Sequence, residues 1–205
     1  ETLACRDVDG LWLAGQVLGT SGYEEAAAQG LVAGVNIALA VRGEGTWVPA
    51  PEDSYIGVLV RDLSRREQVE PYRMLTSRAE QRLRLGVDSA RERLMAVGVR
   101  FGLVREEAFH VEQARTARRD QILEWAERAR IVPDQETREL LRRRLGLEIE
   151  RETTWAGLLR RQDLDRELAA AIVPGLAELD EEDRRIVLGR VQYAGYLQRT
   201  DRERE

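Results

Sequence analysis

The stretch LWLAGQVLGTSGYEEAAAQGLVAGVN, residues 11–36, decides the fold that we predict for the first part of this chain. Its apolar run, residues 11–14, enters a glycine-containing turn and is typical of a buried β-strand. Ser21 and Glu24 have the spacing of a capping box, so we expect a helix to begin at Gly22 and to end near Val41. Further along, residues 55–60, YIGVLV, predict a second strand.

The second half of the chain has the periodicity of helices. Apolar residues recur every three or four positions within residues 105–130, 135–146, 154–171 and 181–200. The last of these has Asp180 as a candidate N-cap and one apolar face, formed by Val187, Val191, Ala194 and Leu197. Residues 10–46 hold eight of the 17 glycines, whereas the sequence after Arg105 is rich in arginine, glutamate and leucine. This shift in composition indicates a domain boundary between residues 45 and 105.

Composition excludes several classes of function. A chain of 205 residues, 43% hydrophobic and 34% charged, is long enough for one ordinary domain or two small ones. All 32 basic residues are arginine, so no lysine is present for Schiff-base or P-loop chemistry. Cys5 and His110, the single residues of their types, are too few for a disulfide framework or a zinc cluster, and we expect no metal site. No apolar run approaches the roughly 20 residues of a membrane helix and no leader is recognisable, so we expect a cytoplasmic protein without a membrane partner.

Several motifs, in register, resemble one family. DGLWLAGQ at residues 9–16 is similar to the late flavin motif of flavoproteins with two dinucleotide domains. The following residues 16–36 resemble MnmG (also called GidA), the FAD subunit of the bacterial complex that modifies the tRNA wobble uridine. YIGVLVRDL at 55–63, EPYRMLTSRAE at 70–80 and YAGY at 193–196 match this family in the same order. The chain departs from the family pattern at Gln81, Gly86 and Arg91.

The resemblance implies a fold and a function. The fold class is mixed α/β and α: the closing strand, turn and helix of a doubly wound FAD-binding domain, followed by a mainly helical domain. The implied reaction adds an aminomethyl or carboxymethylaminomethyl group to C5 of the wobble uridine. FAD, NADH and a folate one-carbon donor are the implied cofactors. The implied partners are tRNA, the GTPase MnmE and a second copy of the protein.

Candidate flavin-binding residues lie in the turn and at the start of the first helix. Gln16 is the first candidate, because an amide at the end of a strand can both donate to and accept from the flavin. The resemblance adds Gly15, Gly19, Thr20, Gly22 and Tyr23, and the helix N-terminus is expected to favour an anionic reduced flavin. We interpret Glu24 and Glu25 as complements of the helix dipole. Spacing alone leaves open that the segment is only a tight strand-to-helix turn.

Candidate tRNA contacts lie in the arginine-rich part of the sequence. Residues 61–100 contain ten arginines against six acids, a local charge of +4 in a chain of net charge -5. Guanidinium groups suit phosphate oxygens, and the candidates are Arg73, Arg78, Arg82 and Arg93. Arg78 and Arg82 are four apart and would share a helical face, and Tyr72 could stack on a splayed base. The alternative is a surface of solvated or salt-bridged side chains.

These inferences divide the chain into residues 1–46, the end of the FAD-binding domain; 47–104, an arginine-rich connecting region; and 105–205, an incomplete helical domain. Members of the family carry a G-x-G-x-x-G loop near their start and further helices at their end, and this sequence has neither. We therefore expect an internal piece of a larger protein that, when isolated, binds FAD weakly or not at all. Two alternatives remain: a non-enzymatic helical module that binds tRNA or a partner, with a vestigial flavin turn, and a relative of the folate-dependent tRNA uridine methyltransferases.

Overall fold

The computed structural model of the chain describes residues 1–65 and 69–202, with side chains for all of these except 166–167 and 197–202. Two units are present, Glu1–Glu106 and Glu107–Glu205. Within the described residues, no helix is both long enough and apolar enough to cross a bilayer.

The first unit is helical, with irregular connections. Its helices are α1 (Tyr23–Val41), α2 (Tyr55–Arg65) and α3 (Ala90–Arg100), and short 3-10 turns occur at Gln16–Leu18, Thr76–Arg78 and Val87–Ser89. The helix predicted over residues 22–41 is confirmed as α1. The predicted capping box is wrong, because Gly22 is the N-cap and no side chain caps the helix.

Neither predicted strand forms within the described residues. Around residues 11–14 the pairing is one antiparallel bridge between Ala4 and Trp12, and Leu11 is exposed. A strand needs a ladder of backbone hydrogen bonds with a neighbour, and here only the short segment 3–5 lies alongside.

Residues 55–60 belong to α2. The Ser54 hydroxyl accepts a hydrogen bond from the Gly57 N–H (3.0 Å), which satisfies one of the free donors at the start of the helix. Val58 and Leu59 are buried, and α2 contacts α1. The β-branched residues of this run favoured a strand in the sequence, but burial of one helical face and the serine cap prevail over that propensity.

The buried face of α1 carries polar side chains among its apolar ones. Asn36, 2% exposed, pairs with both backbone groups of Trp47: its Nδ2 donates to the carbonyl (2.9 Å) and its Oδ1 accepts from the N–H (2.8 Å). The same Nδ2 lies 3.4 Å from the carbonyl of Thr2. One side chain of α1 therefore holds the segment that follows the helix and contacts the first residues of the chain.

The second unit contains α4 (Glu106–Arg128), α5 (Gln135–Leu145), α6 (Trp155–Leu159), α7 (Arg166–Ala170) and α8 (Glu181–Arg202). Two short strands, β1 (Arg130–Ile131) and β2 (Thr153–Thr154), pair antiparallel, with Arg130 opposite Thr154. The predicted helices are confirmed, except that residues 154–171 form two short helices rather than one. Asp180 is confirmed as the N-cap of α8, since its Oδ1 accepts from the Asp183 N–H at 2.8 Å.

One continuous apolar core lies within this second unit. It draws residues from every helix, among them Ile122, Leu141, Ala156, Ala169 and Val187. Val187 and Val191 of the predicted α8 stripe are buried in it, Ala194 is partly buried, and the side chain of Leu197 lies outside the described residues. Because α8 packs by one face, the periodicity that predicted the helix also predicted its buried side.

A buried ionic cluster joins α4 to α8. Arg119, 1% exposed, donates to Glu112 (2.8 Å) and to Asp183. Arg115 donates to the other oxygen of the Asp183 carboxylate at 3.0 Å. Burial acts to raise the pKa of Asp183, but the hydrogen bonds from Arg115 and Arg119 outweigh it, so this pKa lies below its usual range. Asp183 is therefore ionised and held between two guanidinium groups.

We expect Asp183→Asn to destabilise the second unit by about 3 kcal/mol at pH 7, because the buried Arg119 loses a charged partner. The folded-state pKa of Asp183 is depressed, so its contribution is complete above the unfolded value of about 3.9 and is lost as the pH falls through the folded value. The difference between wild type and variant should therefore shrink below about pH 4. Urea unfolding followed by circular dichroism between pH 3 and pH 7 measures it.

Asp120→Asn is the matched control, since Asp120 pairs with Arg190 at 3.1 Å with a side chain that is 55% exposed. Exposed pairs are worth about 0–1 kcal/mol. Equal losses of stability in the two variants would contradict the role given to the buried cluster.

Candidate functional site

The turn at residues 15–20 brings its predicted residues to the surface. Gly15 and Gly19 have φ of +86° and +84°, a backbone conformation that glycine adopts without strain. Between them the 3-10 turn places Gln16 and Val17 outward, and Val17 is 69% exposed. The turn therefore presents an amide next to an apolar side chain.

Gln29 on α1 lies directly behind this turn and is not among the residues predicted from the sequence. Its side chain is fully buried. Its Oε1 accepts from the Gly15 N–H and its Nε2 donates to the Thr20 hydroxyl at 3.4 Å. A glutamine amid small residues on the inner face of a predicted helix was the available signal, because a polar group on a buried face needs a partner.

The other predicted flavin residues divide between interior and surface. Thr20 is 2% exposed and its hydroxyl contacts Gln29, so its side chain supports the turn from within. Gly22 is buried, and a Cβ there would lie 1.6 Å from a carboxylate oxygen of Glu25. Tyr23 is 94% exposed. Thr20 and Gly22 are therefore residues that shape the turn, and their predicted direct contact with a flavin does not follow from this arrangement.

The turn is hydrogen-bonded to the segment Tyr72–Met74, a proximity that the sequence did not indicate. The Tyr72 N–H donates to the Gly19 carbonyl at 2.7 Å, and the Ser21 N–H donates to the Tyr72 carbonyl at 3.3 Å. Together these bonds form a parallel bridge between Thr20 and Tyr72. The candidate flavin residues and the first candidate tRNA residues thus lie side by side.

Glu25 fastens the same segment to α1. Its Oε1 accepts from the Met74 N–H at 2.9 Å and lies 3.6 Å from Nε of Arg73. The bond from Met74 lowers the pKa of Glu25 most, burial opposes it, and the residue's own N–H and Arg73 lower the pKa further. Glu25 lies in the first turn of α1, as the predicted complement of the helix dipole requires, and its largest interaction is the bond to Met74. The N-terminus of α1 thus already holds an anion, which argues against the expected preference for an anionic flavin there.

Tyr72 does not present its ring to a nucleic acid base. The side chain is 1% exposed, and its hydroxyl donates to Asp62 at 3.1 Å. The guanidinium carbon of Arg78 lies 4.4 Å from the ring centroid. The prediction that Tyr72 stacks on a base is therefore wrong for this arrangement, because the ring is covered by a cation and by the protein interior.

The four predicted arginines have different surroundings. Arg78 donates to the Arg73 carbonyl at 2.9 Å, and Arg93 donates to the Gly86 carbonyl at 2.7 Å. Arg73 and Arg82 are exposed. Residues 78–82 do not form a helix, so the prediction that Arg78 and Arg82 share a helical face is wrong. Arg66 and Glu67, which entered the count of local charge, lie outside the described residues.

A cavity of about 460 Å³ adjoins the Tyr72–Met74 segment. Its lining includes Ala28 and Leu59 as apolar walls, together with Glu24, Tyr55 and Arg73 as polar groups. Acceptor and donor groups therefore lie around an apolar floor next to the turn.

His110 is exposed on α4 and contacts Gln113, as expected of a surface histidine. Over the described ranges, no three His, Cys, Asp or Glu side chains are placed to hold a metal ion.

Comparison with known proteins gives matches along most of the chain. Residues 1–45 match the family model "Glucose inhibited division protein A", and residues 106–201 match "tRNA modifying enzyme MnmG/GidA C-terminal helical domain". Relatives named tRNA uridine 5-carboxymethylaminomethyl modification enzyme MnmG, from Wolinella succinogenes and Bacillus cereus, are 41% and 40% identical over 199 residues. Each alignment covers 97% of this chain and 32% of the relative, so the chain spans about a third of the length of these curated relatives.

A solved structure has the same fold. Aquifex aeolicus GidA, in one of its crystal forms, superposes with a TM-score of 0.81 and 30% sequence identity, over 98% of this chain and 31% of that one. A second crystal form gives a TM-score of 0.80. This likeness confirms the predicted fold class.

We expect Tyr72→Phe to lower the free energy of unfolding by about 1–2 kcal/mol, because the buried carboxylate of Asp62 loses the hydroxyl that donates to it. Tyr23→Phe is the control, since that hydroxyl belongs to a side chain that is 94% exposed. Urea midpoints at a constant m-value measure both changes. Equal midpoints for the two variants would show that the Tyr72–Asp62 bond does not contribute to stability.

Proposed function

The chain belongs to the MnmG/GidA family, and we propose that it is a segment of an FAD-dependent tRNA-modifying enzyme. In this proposal the whole protein, with the GTPase MnmE, adds an aminomethyl or carboxymethylaminomethyl group to C5 of the tRNA wobble uridine. Residues 1–46 form the end of its FAD-binding domain, and residues 105–205 form part of its helical domain. Residues 47–104 are the arginine-rich region that connects the two. The exposed turn that carries Gln16, within the part matched by the family model, is the observation that most supports this proposal.

The turn fits a flavin in its chemistry. A flat ring with polar edges needs a close backbone, an apolar contact and a hydrogen-bonding group. Gly15 and Gly19 provide a backbone without side chains, Val17 an exposed apolar surface, and Gln16 an amide that donates and accepts. FAD supplies the redox chemistry when bound, and these residues would hold and orient its ring. Thr20 and Gly22 act by maintaining the shape of the turn.

Exposed arginines support tRNA as the substrate. Arg73 lies beside the turn through the Thr20–Tyr72 bridge, and Arg82 lies on the exposed segment that follows. Their guanidinium groups suit backbone phosphates near a reacting base. Arg78 and Arg93 donate to backbone carbonyls and would maintain the surface rather than bind phosphate. NADH, a folate one-carbon donor, a homodimer and a cytoplasmic location complete the proposal on the strength of the family resemblance.

We expect Gln16→Leu to weaken FAD binding to the full-length gene product by about fivefold to tenfold, since one hydrogen bond is worth about 1 kcal/mol. Stability should not change, because Gln16 is exposed. Gln121→Leu, an exposed glutamine on α4, is the matched control and should leave affinity unchanged. Flavin fluorescence titration measures both. Absence of FAD uptake by the wild-type protein would refute the flavoenzyme assignment itself.

We expect Arg73→Gln and Arg82→Gln each to weaken tRNA binding uniformly across tRNA sequences. Each substitution should also reduce the slope of log affinity against log salt by about 0.7–0.9, the value of one phosphate contact. Arg42→Gln, an exposed arginine at the end of α1, is the control. Filter-binding or fluorescence titrations at salt concentrations between about 50 and 200 mM measure these affinities and slopes. Unchanged slopes in both variants would remove this surface from the tRNA interface.

A further inference from the structure

We propose that Gln29 is the positioning residue of the 15–20 turn, which its buried side-chain amide fixes at both ends so that Gln16 is held in one orientation. This inference rests on the proposed function for the identity of the ligand. The contacts themselves stand on the geometry of this chain alone.

The amide of Gln29 uses its two ends differently. The Oε1 accepts from the N–H of Gly15, the residue just before Gln16. The Nε2 donates to the hydroxyl of Thr20 at 3.4 Å, just after Gly19. The turn between them contains two glycines at positive φ, which leaves its backbone with more accessible conformations than any other residue would. A single rigid, planar group spanning its ends restricts those conformations.

The position of Gln29 gives this contact its strength. The side chain is 0% exposed and projects from the second turn of α1, a helix of 19 residues. Thr20 is 2% exposed as well, so its hydroxyl has little access to water as a substitute partner if the amide is removed. Thr20 is in turn bridged to Tyr72, which connects the far end of the turn to the Tyr72–Met74 segment. Gln29 therefore acts on the ligand only through the turn.

The consequence is a preorganised flavin contact. A flexible turn must lose conformational entropy when it binds, and that loss lowers affinity. With Gln29 in place, the loss occurs during folding instead. Removing the amide should weaken FAD binding although the residue does not touch the flavin.

Gln29→Met tests this in the full-length gene product, since methionine has a similar length but no donor and only a weakly accepting sulfur. We expect the Kd for FAD to rise about tenfold and exchange of the Gly15 amide hydrogen to accelerate by a similar factor. Val32→Ala is the control for stability: Val32 is also fully buried on α1, and its side chain makes no hydrogen bond to the turn. At a temperature where both variants are folded, Val32→Ala should change the Kd by less than about twofold.

Gln29→Glu gives a further test, since its carboxylate can accept from both the Gly15 N–H and the Thr20 hydroxyl. It should restore slow exchange at Gly15. An unchanged Kd in Gln29→Met, or equal weakening in Gln29→Met and Val32→Ala, would overturn the proposal. If the wild-type protein takes up no FAD, the proposed function fails, and exchange at Gly15 alone then decides whether Gln29 fixes the turn.

Discussion

The first unit depends on polar side chains that α1 buries on one face. Glu25, Gln29 and Asn36 are each at most 5% exposed, and each bonds to backbone outside the helix. Their partners are the N–H of Met74, the N–H of Gly15 and both backbone groups of Trp47. A buried polar group without a partner costs several kcal/mol. The helix is therefore stable in this position only with these loop segments bonded to it, and the loop segments are held by the helix. Segments that pair in no extended sheet are thereby held in fixed positions.

In this arrangement the candidate flavin turn and the first candidate tRNA residues adjoin each other. The Tyr72–Met74 segment exchanges backbone hydrogen bonds with the turn on one side, and its Met74 N–H donates to the Glu25 carboxylate on the other. A displacement of the Arg73 backbone on binding a phosphate would therefore displace Gly19 and Thr20 as well, through the hydrogen bonds of the neighbouring Tyr72. In the function that we propose, backbone hydrogen bonds connect the tRNA-binding segment Tyr72–Met74 directly to the flavin turn. Glu25 and Gln29 of α1 support the two ends of this connection by bonding to Met74 and to Gly15, and neither side chain needs to touch a ligand.

Sequence patterns predicted the parts of the fold that follow from local periodicity. Apolar spacing located α4, α5 and α8, and the carboxylate of Asp180 marked the start of α8. The pattern failed at residues 55–60, where β-branched side chains resemble a strand but one face packs on α1 as a helix. It also failed at Tyr72, because aromatic character does not distinguish a ring that stacks on a base from one buried against Asp62.

Only the part of the candidate site that depends on local conformation was predicted from the sequence. Gly15, Gly19 and Gln16 were identifiable from the sequence, since turns need residues of special conformation, whereas the exposure of Gln16 is a finding of the structure. Gln29 was not identified because its role depends on which face of α1 is buried, a property of tertiary packing. The bridge from Thr20 to Tyr72 joins residues far apart in the chain, and no local pattern encodes it.

The outer face of α1 exposes several apolar side chains. Leu31 and Ile37 are each 41% exposed and Val41 is 84% exposed, while a Cβ added at Gly30 or Gly34 would meet nothing within 4 Å. Apolar residues on more than one face of a helix typically indicate burial on more than one face, whereas in the described part of the chain these three side chains remain exposed. This chain spans 32% of its MnmG relatives, and in the proposed enzyme we expect the remainder of the protein to cover this face. FAD affinity would then require that cover, because the turn is held by α1, and α1 is held on one side only.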